Sequence, residues 1–288
     1  MKTSNHLLRR LTAALLAAVL ALSIALPVFA SDDGDTIYIN SVSDLLSLAK
    51  SCAYDQWSVG KTVILQKDLS LEGMLWEPIP SFSGQFKGNG HTISDLTITG
   101  QYSPAGLFGI VEEQGSIESL SVRGIVSVSD SADTTTGGIV GINHGTLINC
   151  QFTGVVTGDS EVGGIVGRNE SEGTIDHSTA RAIVTGKSST GGIAGYNLGA
   201  ITGCTNVGSI NTEYQEASLD TDGFTAKMVD YINNKMAAAD DDTTNSVTNV
   251  ATDTGGIAGR SSGMILTSVN TGTVGYEHIG YNVGGIGG

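Results

Sequence analysis

The sequence predicts an all-β fold, a right-handed parallel β-helix in which successive repeats stack as coils. The first observation is a glycine-rich phrase that recurs as GLFG at Gly106, GIVG at Gly138 and Gly164, GIAG at Gly192 and Gly256, and GIGG at Gly285. Its intervals of 32, 26, 28, 64 and 29 residues are typical of a solenoid or another repeat array. The second observation is that β-branched residues alternate over short stretches between the glycines, which predicts strands rather than helices.

The third observation is that equivalent residues of the repeats align in three columns. One column holds Ile117, Leu147, Ile175, Ile201 and Ile265; a second holds Leu120, Cys150, Ser178, Cys204 and Ser268; a third holds Val126, Val156, Val184, Ile210 and Val274. We predict three short strands in each repeat, each paired in parallel with its counterpart in the next repeat through right-handed connections. A β-propeller is the alternative, but its blades need about 40 to 45 residues and four strands.

The first 30 residues have the pattern of a secretory signal peptide. Lys2, Arg9 and Arg10 precede an apolar run from Leu11, and small residues lead to a cleavage site after Ala30. A retained membrane anchor is the alternative, because the run is nearly long enough to span a bilayer. Removing residues 1–30 takes away three positive charges and no negative one, so the net charge of −15 becomes −18. Such a charge argues against nucleic acid or anionic lipid as a partner.

Residues 31–288 are predicted to form one β-helix domain, which a short helix closes at its amino-terminal end. Residues 41–53 begin with capping residues and carry Leu45, Leu48, Ala49 and Cys52 at helical spacing. A helix placed ahead of the first coil would cover strand edges that otherwise stay unpaired. We therefore predict an N-terminal capping helix over residues 41–53.

Residues 212–253 interrupt the repeat pattern and are predicted to be an inserted helical excursion. Phe224, Met228, Ile232 and Met236 recur every four residues, and the flanking sequences are rich in turn residues. The columns resume in the same order after this segment, and long surface insertions cost little closure entropy. Replacing residues 213–252 with a short Gly/Ser linker should therefore leave the β-type circular dichroism spectrum and cooperative melting intact.

The glycines of the recurring phrase are predicted to shape the corners of the coil. A residue without Cβ can adopt a positive φ angle, and it lets neighbouring backbones approach closely. The three cysteines are predicted to be unpaired. Cys52 falls in the helix, whereas Cys150 and Cys204 lie two repeats apart, at about 9.6 Å for stacked strands. A disulfide needs Cα atoms within about 7 Å.

Two motifs carry a family resemblance. Residues 106–109 read GLFG, and the phrase WEPIPSFSGQFKGNGHTISDLTITG runs from Trp76 to Gly100. On these motifs the chain resembles the GLUG-repeat family of exported bacterial proteins from about Ser41 to Gly288, although later repeats carry Ile where GLFG has Leu. The resemblance implies an adhesin-like surface protein or a region beside an immunoglobulin A-cleaving metallopeptidase. The resemblance implies no catalytic residues for this chain.

Two short motifs match catalytic or phosphate-binding patterns only in part. GRSSG at Gly259 has the G-x-S-x-G spacing of a nucleophile elbow, but it aligns with the turns GINHG and GYNLG of other repeats. Gly186-Lys187-Ser188 follows a strand, as a phosphate loop does, but Arg181 stands where the first glycine should be and no helix is predicted to follow. Both are interpreted as turns of the stack.

Metal and carboxylate sites are weakly indicated. The sequence has no H-E-x-x-H motif, and the acidic stretches at Asp220 and Asp240 lack the full spacing of a calcium loop. Parallel β-helices often carry polysaccharide lyases and hydrolases, and one repeat is rich in ionisable residues: Glu170, Glu172, Asp176, His177 and Arg181. Their counterparts in adjacent repeats are mostly uncharged, so no paired-carboxylate site is apparent. We assign no catalytic, cofactor-binding or metal-binding residue and predict no cofactor.

These observations favour a non-catalytic, secreted or cell-surface repeat protein that acts as an adhesin-like or spacer module. A glycan or a host or surface protein is the expected partner, with no membrane contact after signal cleavage. The alternative is an accessory region of a secreted peptidase or polysaccharide-active enzyme. GGIGG at the end of the sequence opens a coil that it does not complete, so we expect a longer protein or a last repeat that frays or self-associates.

Overall fold

The computed structural model describes residues 35–54, 56–128, 134–212, 252–275 and 281–288. Residues 36–288 form one unit, a parallel β-solenoid of about 7 turns, which confirms the predicted parallel β-helix. Strands are numbered β1 to β28 in chain order, and neighbouring strands of the stack pair in parallel. The predicted signal peptide and nearly all of the predicted excursion lie outside the described residues.

Four sheets, A to D, run along the stack. Sheet A contains β1 (Thr36–Ile39), β2 (Thr62–Leu65), β5 (Gln85–Lys87), β8 (Ser116–Glu118), β12 (Thr146–Ile148), β16 (Thr174–Asp176), β20 (Ala200–Thr202) and β25 (Met264–Leu266). Sheet B contains β3 (Leu69–Ser70), β6 (Thr92–Gly100), β9 (Ser121–Val128), β13 (Gln151–Thr157), β17 (Thr179–Thr185), β21 (Thr205–Asn206), β22 (Ser209–Ile210), β26 (Val269–Asn270) and β27 (Thr273–Val274).

The other two sheets carry the glycine-rich phrase. Sheet C contains β4 (Ile79–Phe82), β7 (Phe108–Val111), β11 (Val140–Asn143), β15 (Val166–Asn169), β19 (Ala194–Asn197) and β24 (Ala258–Ser261). Sheet D contains β10 (Thr136–Gly137), β14 (Val162–Gly163), β18 (Ser188–Gly191), β23 (Thr252–Gly255) and β28 (Tyr281–Gly284). Coils therefore have up to four faces, and the prediction of three strands per repeat is wrong. Sheet D was not predicted because some of its strands have only two residues, too few to show an alternation of apolar and polar residues.

The predicted capping helix is present as α1 (Val42–Ser51). Its N-cap is Ser41, whose Oγ accepts a hydrogen bond from the backbone N of Asp44 at 3.2 Å. Leu45 and Leu48 are buried, and α1 packs against β1 and β4, the outermost strands of sheets A and C. The helix thus covers strand edges at this end, as predicted, although strand β1 before it was not anticipated.

In two of the three predicted columns, the aligned residues are direct partners in neighbouring parallel strands. The Ile175 column runs through sheet A, with Ile175 paired to Leu147 and to Ile201, and the Val184 column runs through sheet B. Most of these side chains are fully buried, so they form the solenoid interior. In the coil that contains β25 to β27, the column residues Ile265 and Val274 are only partly buried, and the outward-facing Met264, Leu266 and Val269 are 51%, 46% and 50% exposed. Fraying of this coil stays a prediction.

The glycines of the recurring phrase allow backbones to pack closely, and none of the described ones has a positive φ angle. Among the described glycines, positive φ occurs only outside the phrase, for example at Gly203. A Cβ placed on Gly141 of β11 would lie 2.5 Å from the Cβ of Pro104 and 2.7 Å from the carbonyl oxygen of Gly109. The positive-φ part of the prediction is therefore wrong, and the close-approach part is confirmed.

The corner between sheets A and B is turned by Gly203 in one coil and by residues with side chains in the left-handed region in four others. Ser119, Asn149, His177 and Thr267 occupy this corner with φ of 52°, 52°, 46° and 47°. A short polar side chain such as Asn tolerates this region, but a β-branched residue there is strained. Thr267 is therefore the strained residue of this corner.

Relieving this strain should stabilise the protein. We expect Thr267→Asn to raise the free energy of unfolding by about 1 kcal/mol, because the exposed Thr267 adopts a left-handed φ that Asn accepts more readily. Urea denaturation followed by circular dichroism measures the change. Thr99→Asn, in the extended strand β6, is the matched control and should give no gain, since Asn is disfavoured in strands. Equal stability of Thr267→Asn and the unaltered protein would contradict the strain.

A ladder of buried amides connects the coils along the inside of sheet C. The Nδ2 of Asn143 donates to the Oδ1 of Asn169, and the Nδ2 of Asn169 donates to the Oδ1 of Asn197, both at 2.8 Å. The Nδ2 of Asn197 donates to the Oγ of Ser261 at 3.1 Å. The three Asn side chains are fully buried. Buried polar groups are stable only when they are paired, so this ladder constrains the register of four coils.

Candidate functional site

The outer face of sheet C carries one side chain from each coil in a continuous row. The strand pairings place these residues side by side: Ser81, Ile110, Ile142, Arg168, Tyr196 and Arg260, which we call the sheet C stripe. Each is at least partly exposed, whereas the next residue along the strand is buried except in the last strand, β24. Parallel strands about 4.8 Å apart make the stripe about 24 Å long.

Arg168, in the middle of the stripe, is held by two carboxylates of its own coil. Its Nη1 donates to the Oε1 of Glu161 at 2.9 Å, and its Nε donates to the Oε1 of Glu170 at 2.7 Å. Burial opposes the charged form, but the two carboxylates outweigh it and raise the pKa of the Arg168 guanidinium. The charge of Arg168 is thus neutralised locally, and its side chain is fixed.

Tyr196 lies between two arginines contributed by the neighbouring coils. The Cζ of Arg168 is 5.2 Å and that of Arg260 is 5.6 Å from the centroid of the Tyr196 ring, both within the range of cation–π contacts. Arg260 is exposed and makes no ion pair that we observe with the described residues. The guanidinium of Arg260 is therefore stacked on the Tyr196 ring without a carboxylate partner among the described residues.

An open groove of about 450 Å³ adjoins the opposite end of the stripe. It is lined by two carboxylates, two amides and two hydroxyl groups: Glu112, Glu113, Gln56, Gln114, Ser81 and Ser83. The Oγ of Ser81 donates to the Oε1 of Glu112 at 2.7 Å. We call this the acidic groove. Its donors and acceptors suit a hydroxyl-rich ligand, and Ser81 belongs to both the groove and the stripe.

A family model for the GLUG motif matches residues 158–185. The chain carries a GLUG repeat. The matched segment contains strands β14 to β17, one complete coil, and it includes Glu161, Arg168 and Glu170. The resemblance to GLUG-repeat proteins that the sequence motifs predicted is therefore confirmed.

Two protein sequences and one solved structure are similar to this GLUG-repeat chain. It is 32% identical over 155 residues to Halomucin of Haloquadratum walsbyi, spanning 49% of this chain and 2% of Halomucin. It is 29% identical over 137 residues to a protein of Evansella cellulosilytica provisionally named a Gly-rich membrane protein, spanning 34% of this chain and 16% of that protein. The chain therefore spans only a small part of the length of these curated relatives.

The solved structure comes from Bacteroides ovatus and is provisionally described as an immunoglobulin A1 protease. It superposes with a TM-score of 0.52 at 19% identity, covering 82% of this chain and 67% of that chain. At this identity the likeness concerns the fold alone. Among the described residues, no helix has both the length and the apolar character that a membrane span requires.

The partial catalytic motifs of the sequence occupy structural positions in the GLUG-repeat stack. Ser261 of GRSSG is the last member of the amide ladder: it accepts from Asn197 and donates to the carbonyl of Gly263 at 3.3 Å. Lys187 forms an ion pair with Asp159, and the strand β18 follows it instead of a helix. Gly186 and Lys187 lie in a turn of the stack, as predicted. Gly259 to Ser261 of GRSSG instead lie in strand β24 and only Ser262 and Gly263 turn, so the turn interpretation is wrong for most of that motif.

The ionisable residues of the richest repeat are spread over different faces. Glu170 pairs with Arg168 beside sheet C, Asp176 is in sheet A and Arg181 is in sheet B. His177 turns the corner after β16, with its Nδ1 2.9 Å from the Oδ1 of Asp176. Within the described parts of the chain, no group of three or more His, Cys, Asp or Glu side chains could hold a metal ion.

The three cysteines are free and buried, and burial raises the pKa of each thiol. The pKa is about 12 for Cys150 and about 11 for Cys52 and for Cys204. Since only the thiolate reacts, we expect no labelling by iodoacetamide of the native protein at pH 8 and labelling of all three thiols in urea. Mass spectrometry counts the adducts, and rapid native labelling of Cys150 or Cys204 would contradict the buried stack.

Neither the stripe nor the amide ladder was predicted from the sequence. The aligned phrases GINHG, GRNES and GYNLG contain the signal, because Asn143, Asn169 and Asn197 recur at one position and are preceded by Ile142, Arg168 and Tyr196. A recurring Asn two residues after a glycine resembles a turn residue, so its burial was not apparent. The stripe varies in chemistry from coil to coil, and its continuity emerges only from the strand register.

Proposed function

We propose that this chain is a non-catalytic, exported module that acts as an adhesin-like or spacer element outside the cell. The observation that carries the proposal is the continuous stack of parallel coils, which the buried amide ladder of Asn143, Asn169 and Asn197 holds in register. Such a stack is quasi-one-dimensional, and its outward side chains form long surfaces suited to binding or spacing.

Several charged residues form ion pairs that stabilise the stack, which supports a structural role for them. Arg168 pairs with Glu161 and Glu170, and Lys187 pairs with Asp159 of the preceding coil. The Arg168 pairs fix one coil, and the Lys187 pair joins two neighbouring coils. The net charge of −15 favours solubility and resists nonspecific association. Both properties suit a protein exposed outside the cell.

The names of two relatives agree with an extracellular or surface location. One is Halomucin and the other is provisionally named a Gly-rich membrane protein. The amino-terminal signal pattern of residues 1–30 gives the same expectation for this chain. We therefore place the module at the cell surface or in the medium.

The proposal is tested by expressing the full chain in a bacterial host and following two measurements. Cell fractionation should recover the protein, shortened by about 30 residues, in the medium or at the surface. Incubation of the purified protein with a panel of complex glycans and with immunoglobulin A should leave every substrate intact. Turnover of a panel member that is lost on Asp176→Ala would overturn the proposal in favour of an enzyme, and retention in the cytoplasm would overturn the exported location.

A further inference from the structure

We propose that the outer face of sheet B is a docking surface for another part of the same chain, residues 213–251. The surface consists of Ile125, Val155 and Ile183, which we call the sheet B row. These residues are direct partners in the neighbouring strands β9, β13 and β17. The inference goes beyond the proposed function and is independent of it, because a spacer, an adhesin and an accessory region of an enzyme are all compatible with such a surface.

The sheet B row faces away from the interior of the solenoid. Successive side chains of a strand point to opposite faces of its sheet. In β13, Val156 belongs to the hydrophobic core, so the preceding Val155 points outward, and it is not part of that core. The same holds in β17, where Val184 belongs to the core and Ile183 does not. The row is therefore an apolar strip on the outside of the coil wall.

Two residues of the row are almost completely buried although they point outward: Val155 is 3% exposed and Ile183 is 8% exposed. Ile142 of sheet C and Ile148 of sheet A also point outward with a paired strand on each side, and both are only half-buried. Neighbouring strands alone therefore do not bury an outward side chain to this degree. The described elements that pack most closely on β13 and β17 are strands of sheets B and D, the walls of the solenoid itself. The cover of the row therefore comes from outside the described residues.

Residues 213–251 are the segment whose length and starting point fit this surface. Once the predicted signal peptide of residues 1–30 is cleaved, each of the other segments outside the described residues has at most five residues. Such short segments are too small to cover three neighbouring strands. Residues 213–251 follow β22, in which Ser209 pairs directly with Ile183 of the row. The segment therefore starts beside the surface that it is proposed to cover.

The sequence of residues 213–251 is complementary to the surface. Four apolar residues recur every four positions and predict a helix with one apolar stripe: Phe224, Met228, Ile232 and Met236. This stripe is about 18 Å long, enough to cross the three strands of the row, which span about 10 Å. The segment has eight carboxylates and two lysines, a net charge of −6, whereas Arg123 and Arg181 lie beside the row on the outer face. Opposite charges next to an apolar contact favour one docking orientation.

The accessibility of a thiol in the sheet B row tests the inference. Val155→Cys places a thiol at the centre of the row, and the three native thiols are buried with raised pKa values, so they do not compete for iodoacetamide. We expect the introduced thiol to be labelled at least about tenfold more slowly in the full chain than in a variant with a Gly/Ser linker in place of residues 213–252. That replacement should keep the β-type circular dichroism spectrum, because Val155 lies outside the hydrophobic core.

A second variant tests the same contact without shortening the chain. Met228→Asp combined with Ile232→Asp places two carboxylates on the apolar stripe of the segment, so the thiol of Val155→Cys should again be labelled rapidly. Ile142→Cys is the matched control, since Ile142 points outward from sheet C and should be labelled at one rate in all three backgrounds. Thermal melting should show that every variant is folded.

Two results would overturn the inference. Equally rapid labelling of Val155→Cys in all three backgrounds would show that the sheet B row has no cover. Equally slow labelling in all three would show that another occupant, such as a second copy of the chain, covers it. Neither result bears on export or on catalysis, so the proposed function would stand or fall on its own experiment.

Discussion

Gly164→Ala is expected to destabilise the solenoid by more than about 3 kcal/mol, a large effect for one methyl group. Gly164 opens the GIVG phrase inside the GLUG-matched coil. A Cβ at this position would overlap the carbonyl oxygen of Gly192 in the next coil and lie 3.0 Å from the Cβ of Ala180. The overlapping atom is a backbone carbonyl oxygen, so no rotation of a side chain can relieve the clash. Adjacent coils would have to separate, and each coil is stabilised mainly by its neighbours.

The measurement is urea denaturation followed by circular dichroism, and the chain provides a matched control. Gly285 occupies the equivalent position of the last GIGG phrase, and a Cβ there meets no atom within 4 Å. Gly285→Ala should therefore leave the denaturation midpoint almost unchanged. Neither glycine has a positive φ, so backbone conformation does not distinguish them. Equal stability of the two variants would show that the phrase is not required for close packing of the coils.

The columns of apolar residues were enough to predict the solenoid, because stacking gives equivalent residues of successive repeats the same surroundings. Ile175 and Val184 are typical: each is buried and pairs in register with the residues that the alignment placed beside it. The capping helix was predictable for a similar reason, since Leu45 and Leu48 mark a single apolar face on a short segment that begins with Ser41.

The features that escaped prediction depend on how the coil turns in three dimensions. Strand β10 contains only Thr136 and Gly137, so its residues read as part of a turn. The φ angles of the glycines depend on where the corners fall, and the corner positions are taken by residues such as Asn149 and His177. Glu161 and Glu170 lie close to Arg168 in the sequence and on the same coil. Their contact with Arg168 nevertheless depends on the direction in which each side chain points, which the sequence does not show.

Asn169→Ala is expected to lower the free energy of unfolding by about 2 to 6 kcal/mol. Asn169 is the central member of the amide ladder: it donates to Asn197 at 2.8 Å and accepts from Asn143 at 2.8 Å, and it is fully buried. Removing it leaves the Oδ1 of Asn197 and one N–H of Asn143 without their ladder partners in an interior that water does not reach. Each unsatisfied buried group costs about 1 to 3 kcal/mol. Urea denaturation at pH 7 measures the loss.

Asn169→Asp tests the same ladder through its dependence on pH. In this variant a protonated carboxyl at position 169 can donate to Asn197 and accept from Asn143, whereas the carboxylate is an acceptor only and faces the Oδ1 of Asn197. Burial therefore raises the pKa of the introduced carboxyl in the folded state above its value in the unfolded chain. A group with a raised pKa contributes its full stability below the unfolded pKa and loses it as pH rises through the folded pKa. The variant should consequently be more stable at pH 4 than at pH 7, relative to the unaltered protein.

Asn149→Asp is the matched control for this pH dependence. Asn149 lies on an exposed corner, where Asp tolerates the left-handed φ of 52°, so its carboxyl stays solvated in both states and should add little dependence on pH. Urea denaturation of both variants at pH 4 and pH 7 gives the comparison. If Asn169→Asp behaved like Asn149→Asp at both pH values, the amides would not be buried and paired, and the register of the coils would have to be maintained by the apolar columns alone.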